Sequence, residues 1–356
     1  MRIALQITCI LLVFGPSTSA AQSFNGPLPV VDHGSWRATT DANSLSGDFQ
    51  QGDTVFTDSA WPATSFGNAH SPAARMSMDI GTMGLIRERP NSQVIALNEL
   101  AQPILNASEL QGSMQFGLRA FVDFYRIRPF AGGTDFQFGY FGINSLDAET
   151  TLASVEVSPI FFNSVPIAPE STSNIIYSSN LYSGETNLRF LSSQRIRPIA
   201  GLRFLKLEDT YDAFNQTGAV RTGGFSITNN SLFGGQFGCD GDIPLGRFCK
   251  LIAAGKLGVV HNAVDGAARA ADPSGTEVVK NFSDSSFTTM LDAHVGIHYN
   301  FAGPLSFRAA YQVLHVDKVA LGIDQNQSVR VLSPGETVAF NSQQWHGLNL
   351  SAIFEF

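Results

Sequence analysis

The sequence predicts an all-β chain: a single transmembrane antiparallel, up-and-down β-barrel of about ten strands, or twelve, with long outer loops and short periplasmic turns. Three observations predict it. Long segments alternate between apolar residues and small or polar ones. The connections between those segments alternate long and short. An export signal opens the chain, and no other apolar run is long enough for a spanning helix.

The alternation is clearest from Phe287 to Val316. Phe287, Leu291, Ala293, Val295, Ile297, Tyr299 and Phe301 share one parity with a single threonine, Thr289, while Asp292, His294 and His298 share the other. Ala302-Gly303-Pro304 makes a tight turn, and Leu305, Phe307, Ala309, Tyr311 and Val313 resume the apolar face. Period two places the two sets on opposite faces of a strand. Such strands run to about 12–15 residues, against roughly 5–6 in globular sheets. Tilted strands of that length span hydrocarbon.

From the start of the chain, residues 1–21 read as a signal peptide. Arg2 supplies the positive charge, Ile3 to Phe14 the apolar stretch, and Ser19-Ala20-Ala21 the small residues of a cleavage site. Residues 22–74 are rich in Ser, Gly, Asp, Asn and Pro and predict an irregular periplasmic or lumen-inserted segment, which Trp36 and Trp61 would help to dock. The barrel is expected over 75–356. Its strands begin weakly at Met76-Met78-Ile80 and continue at 116–124, 136–140, 182–190, 200–204, 233–239 and 249–257. The hairpin of 287–313 follows, and Leu348 to Phe356 closes the chain.

The connections run long (89–112), short (127–133), long (145–176), short (192–195), long (209–225), short (241–246), long (264–285), short (302–304) and long (317–342). A barrel with outer loops and periplasmic turns requires this alternation, whereas a sandwich or propeller does not. Phe124, Phe136, Phe190, Phe237, Phe248, Tyr299, Phe301 and Phe307 cluster near the short turns, as an interfacial girdle would. The terminal Phe356 resembles the C-terminal assembly signal of outer-membrane proteins, so the barrel assembly machinery and outer-membrane lipid are the expected partners.

Composition agrees. Charged residues make up 15% of the chain, against roughly 25% in an ordinary domain. A net charge of −8 leaves no basic patch for nucleic acid. Cys9 departs with the signal peptide, leaving Cys239 and Cys249 around a Gly/Pro turn. An even pair in an exported chain predicts a disulfide stapling a hairpin.

The stretches LYSGETNLRF (181–190), GLRFLKLED (201–209), NNSLFGGQFGCDG (229–241), GRFCKLIAAGKLGV (246–259) and YQVLHVDKVALGIDQ (311–325) resemble a family of outer-membrane β-barrel porins of planctomycete-type bacteria. That family is similar in style to the pore-forming major outer-membrane proteins of Legionella-type bacteria. The resemblance covers roughly 110–356 and implies an outer-membrane barrel, with no catalytic motif to carry over.

The polar parity supplies the candidate lumen: Arg119, Asp123, Glu185, Arg189, Arg203, Lys250, Lys256, Asp292, His294, His298, Arg308 and Glu355. His294 and His298 stand ~13 Å apart on a strand, too far to share one metal ion. Asp240-Gly241-Asp242 lacks the closing glutamate of a calcium loop, since Leu251 occupies that position. Asp292 with His294 has the composition of an acid–base pair, yet no GxSxG or HExxH accompanies it. No metal, cofactor or enzymatic activity is expected. The leading expectation is a porin-like passive channel in the cell outer membrane for small solutes or ions. The alternative is a closed structural or adhesive barrel acting through its outer loops, and a barrel hydrolase ranks third.

Overall fold

In the computed structural model, the described residues are 76–88, 94–97, 103–106, 110, 113–125, 134–153, 158–159, 172–190, 195–217, 220–271, 277–325 and 338–356. Contacts divide the chain into Met1–Phe66 and Gly67–Phe356, and every described residue belongs to the second unit. The expected signal peptide and the segment expected at 22–74 lie outside the described residues.

In chain order the strands are β1 (Met76–Arg87), β2 (Val94–Leu97), β3 (Pro103–Asn106), β4 (Gln115–Phe124), β5 (Asp135–Ile143), β6 (Ala148–Ala153) and β7 (Ser158–Pro159). They continue as β8 (Thr172–Arg189), β9 (Ile196–Thr217), β10 (Val220–Pro244), β11 (Cys249–Ala271), β12 (Glu277–Ala302), β13 (Leu305–Val319) and β14 (Asn341–Glu355). Ten of them form a ring of antiparallel neighbours, β1-β4-β5-β8-β9-β10-β11-β12-β13-β14, closed by β14 on β1. β6 pairs with the far part of β8, while β2, β3 and β7 make a small separate sheet.

Closure runs from Ser77↔Glu355 to Arg87↔Trp345. It is completed at the rim, where the Phe356 amide donates to the Met76 carbonyl at 2.8 Å. A closed ring leaves no unpaired sheet edge, which is what hydrocarbon requires of a β-structure.

The expected parity holds on every strand of the ring. Phe116, Leu118, Phe237, Leu257, Phe287, Val295, Leu350 and Phe354 face outward and are exposed, forming an apolar belt. The opposite parity points into the barrel. On β12 the belt runs from Phe301 to Phe287, about 14 residues, or roughly 33 Å when a strand is tilted about 45°.

Several of the expected outer loops are shorter than the sequence suggests, two of them by most of their length. Residues 209–217 and 220–225 continue β9 and β10, and 264–271 and 277–285 continue β11 and β12. Above the belt the faces exchange character. Tyr211, Ala213, Val264 and Ala268 turn inward and are buried, while Asp265, Asn281 and Ser283 are exposed on the outside. An apolar outer face ends with the belt, although the sheet continues.

The expected disulfide is also corrected: Cys239 and Cys249 are both free. Pro244 pairs with Lys250 across the β10–β11 turn, so Cys239 lies opposite Gly255 and Cys249 opposite Tyr299. Six residues of strand, ~20 Å, separate Cys249 from the position facing Cys239, far beyond disulfide reach. The two cysteines share the outward parity of neighbouring strands, but the register keeps them apart. Alkylation of denatured protein without prior reduction is expected to label both cysteines, as a peptide map would show.

Candidate functional site

The barrel interior is stratified, and several of the strands that line it share one order of residue types. Inward positions on β9 read Arg203, Leu205, Leu207, Asp209; on β12, Asp292, Met290, Thr288; on β1, Asp79, Gly81, Met83, Leu85, Arg87. From the short-turn end, a charged zone is followed by an apolar zone and then by a second polar zone.

The lower zone centres on four crossed charges. Arg203 Nη1 donates to Asp292 Oδ2 at 2.6 Å, and Lys256 Nζ donates to Glu185 Oε1 at 2.7 Å. The crossed pairs, Arg203 with Glu185 and Lys256 with Asp292, are 3.8 Å apart. All four are buried, with Arg203 1% and Lys256 7% exposed. Gln312 Nε2 donates to Asp292 at 2.8 Å, and Asn349 Nδ2 donates to Gln312 at 3.2 Å.

On the other side the network continues without a break. Gln236 donates to Glu185 and to Asn187, Asn187 to Gln137, and Gln137 to Asp123. Asp123 and Asp240 share Arg189, and Asp240 also accepts from Arg197 at 2.7 Å. Charges removed from water are tolerable only when paired and hydrogen-bonded in this way. The network leaves them as cross-braces inside the sheet.

Above it lies a layer that polarity alone did not anticipate. Met83, Leu85, Leu181, Leu205, Leu207, Leu232, Met290, Leu314 and Trp345 all face inward and form one buried cluster. The signal was present in the chain: after Arg203, the same parity carries Leu205 and Leu207, and after Asp292 it carries Met290.

In the upper zone, backbone lies inside the barrel. After β13 the chain turns inward, with one helical turn at 322–325, and Ala320, Leu321, Gly322 and Ile323 are buried. Thr228 Oγ1 and Asn230 Nδ2 each donate to the Ala320 carbonyl at 2.8 Å, while the Ala320 amide donates to Asn230 Oδ1 at 2.7 Å. The Ser226 hydroxyl donates to the Gly322 carbonyl, and the Gly322 amide donates to Asp209 Oδ2 at 2.7 Å. Asp209 also accepts from Arg87 Nη1 at 2.6 Å, from Tyr177 at 3.0 Å and from Ser179. Asp209 Oδ2 therefore holds the plug, while Oδ1 is tied to Arg87 and Ser179 on the barrel strands.

All the expected lumen residues lie on the inward parity, but they occupy different situations. Arg119, Asp123, Glu185, Arg203, Lys256 and Asp292 are buried in the networks, and Arg189 is nearly so. His294, His298 and Arg308 are partly buried. Lys250 is 41% exposed near the mouth, and Glu355 is exposed at the rim. Asp292 and His294 do not form the contemplated acid–base pair, because both oxygens of Asp292 are engaged by Arg203 and Gln312.

No protein-family model and no curated protein sequence matches the chain. Among solved structures it is similar to the outer membrane protease OmpT from Escherichia coli, at 10% identity and a TM-score of 0.48 over 79% of this chain and 96% of that one. It is also similar to the toluene transporter TbuX of Ralstonia pickettii (9% identity, TM-score 0.21, 79% of this chain and 90% of that one). A FadL homologue of Pseudomonas aeruginosa shows 10% identity and a TM-score of 0.25 over the same shares.

Proposed function

We propose that the chain is an outer-membrane β-barrel that is closed at rest and acts as a structural or adhesive element through the extensions above its belt. The apolar belt and the edgeless ring support the membrane placement, and the short turns would then face the periplasm. The observation that carries the closed state is the filled lumen. A water-filled pore leaves its charged walls wet, whereas here Arg203, Asp292, Glu185 and Lys256 are buried beneath an apolar layer and a backbone plug. Purified protein in planar bilayers is expected to show no conductance steps at neutral pH. Steady steps from the wild-type barrel would overturn this reading.

The porin-like channel suggested by the sequence remains as a second reading, in gated form. One observation favours it: Asp324, in the plug, is largely buried, and its Oδ2 has no hydrogen-bond partner. A plug carrying a poorly solvated carboxylate can be displaced more readily than one without it.

A further inference from the structure

Towards the short-turn mouth, one inward row is cationic. Register pairs Lys250 on β11 with His298 on β12, His298 with Arg308 on β13, and Arg308 with Ser351 on β14. The row continues through Gly81 on β1 to Arg119 on β4. Neighbours in such a row stand about 5 Å apart.

Two carboxylates face these three permanent cations. Asp79 is taken by Arg119 Nη1 at 2.7 Å and reaches Arg308 Nη1 at 3.4 Å, while Asp242 lies 3.9 Å from Lys250. The next carboxylates, Asp123 and Asp240, are engaged by Arg189 and Arg197. Arg308 therefore leaves Nε and Nη2 without a partner, although both atoms are buried. These two nitrogens form the side-on edge of the guanidinium, which matches two oxygens of a carboxylate or phosphate.

His298 Nε2, one strand away, and Ser306 Oγ, two residues towards the mouth on β13, are likewise unpartnered. A buried fork without an acceptor is costly. The partly exposed Lys250 at the end of the row opens it to solvent.

We propose that Arg308, with His298 and Lys250, forms a binding site for a small oxyanion, a carboxylate or phosphate group, entered from the short-turn mouth. Arg308 grips two oxygens through Nε and Nη2, His298 supplies a further donor from Nε2, and Lys250 attracts the anion at the entrance. The site stands whether or not the lumen above it conducts.

The test is calorimetric titration of the refolded full-length barrel, in uncharged detergent, with inorganic phosphate and separately with acetate. Saturable binding of one anion per barrel is expected, with the tighter of the two identifying the class that the site takes. Arg308→Lys keeps the charge but removes the fork, and should weaken binding roughly ten-fold or more. Lys250→Gln, at a position 41% exposed, should weaken it a few-fold. No saturable binding of either anion, or an affinity no better than that for chloride, would overturn the proposal. So would full affinity in Arg308→Lys or, if that variant does not fold, full affinity in Lys250→Gln.

Discussion

Asp292→Ala is expected to destabilise the barrel by about 3–5 kcal/mol, the loss typical of removing one partner from a buried ion pair. Arg203 is 1% exposed and is held by Asp292 at 2.6 Å. Among the described residues, Glu185 is the other carboxylate paired with it, at 3.8 Å, and already binds Lys256 through both oxygens. Removing Asp292 leaves two cations facing one carboxylate inside the sheet, and Gln312 loses its acceptor as well. The denaturant midpoint of the lipid- or detergent-embedded barrel, followed by heat-modifiable electrophoretic mobility, measures the loss. Arg203→Met combined with Asp292→Leu should recover most of it, because both charges are then removed and the Lys256–Glu185 pair is kept. If Asp292→Ala unfolds at the wild-type midpoint, the four charges are solvated and the lumen is not filled.

The ring itself was legible in the chain because a membrane imposes a strong rule on strands. Positions facing lipid are predominantly apolar, and Phe287 to Phe301, with Thr289 as the exception, and Leu348 to Phe356 follow that pattern. The pattern lapses beyond the apolar belt. Tyr211 and Ala213 on β9, and Val264 and Ala268 on β11, follow the reversed pattern, and those stretches resemble loops when an apolar outer face is sought. Register was less legible than parity. Cys239 and Cys249 share the outward face of neighbouring strands, but the 245–248 turn sets them six residues out of step, and nothing in the composition of that turn fixes the offset.

The interior followed a similar course. Inward parity identified Arg203, Lys256, Glu185 and Asp292, yet which cation meets which carboxylate depends on contacts across the barrel. Arg203 on β9 and Asp292 on β12 meet across the lumen, a proximity that no local pattern encodes. The apolar layer of Leu205, Leu207 and Met290 was visible as a break in inward polarity. The plug at 320–325 was not, because its burial depends on Asp209, Thr228 and Asn230, far away in sequence. Arg87 was missed for the same reason: it lies at the end of a weakly patterned strand, and its partners, Asp209, Ser179 and Tyr177, are on β8 and β9.

Docking of that plug is expected to weaken as pH rises from about 4 to about 6, and Asp324→Asn should abolish the effect. Burial raises the Asp324 carboxyl to about 6, with the charge of Asp209 on β9 adding to the rise, while a hydrogen bond with Asn341 on β14 and the charge of Arg87 on β1 oppose it. A carboxyl whose docked pKa exceeds its free value binds its proton more tightly in the docked state. Below the free value, near 3.9, both states are protonated and docking is strongest. Between that value and about 6 only the undocked segment ionises, so docking loses free energy with each step in pH, and above 6 the loss is complete. The gap between the two values corresponds to about 3 kcal/mol. Hydrogen exchange of the amides of 320–325 reads this directly as a local opening free energy. In the wild-type barrel, protection of the Gly322 amide, which donates to Asp209, should fall across that window. In Asp324→Asn it should stay flat and remain higher at pH 7.5. Protection that is constant with pH in the wild type would mean that Asp324 reaches water when the plug is docked. The gated reading of the barrel would then lose the observation that favours it.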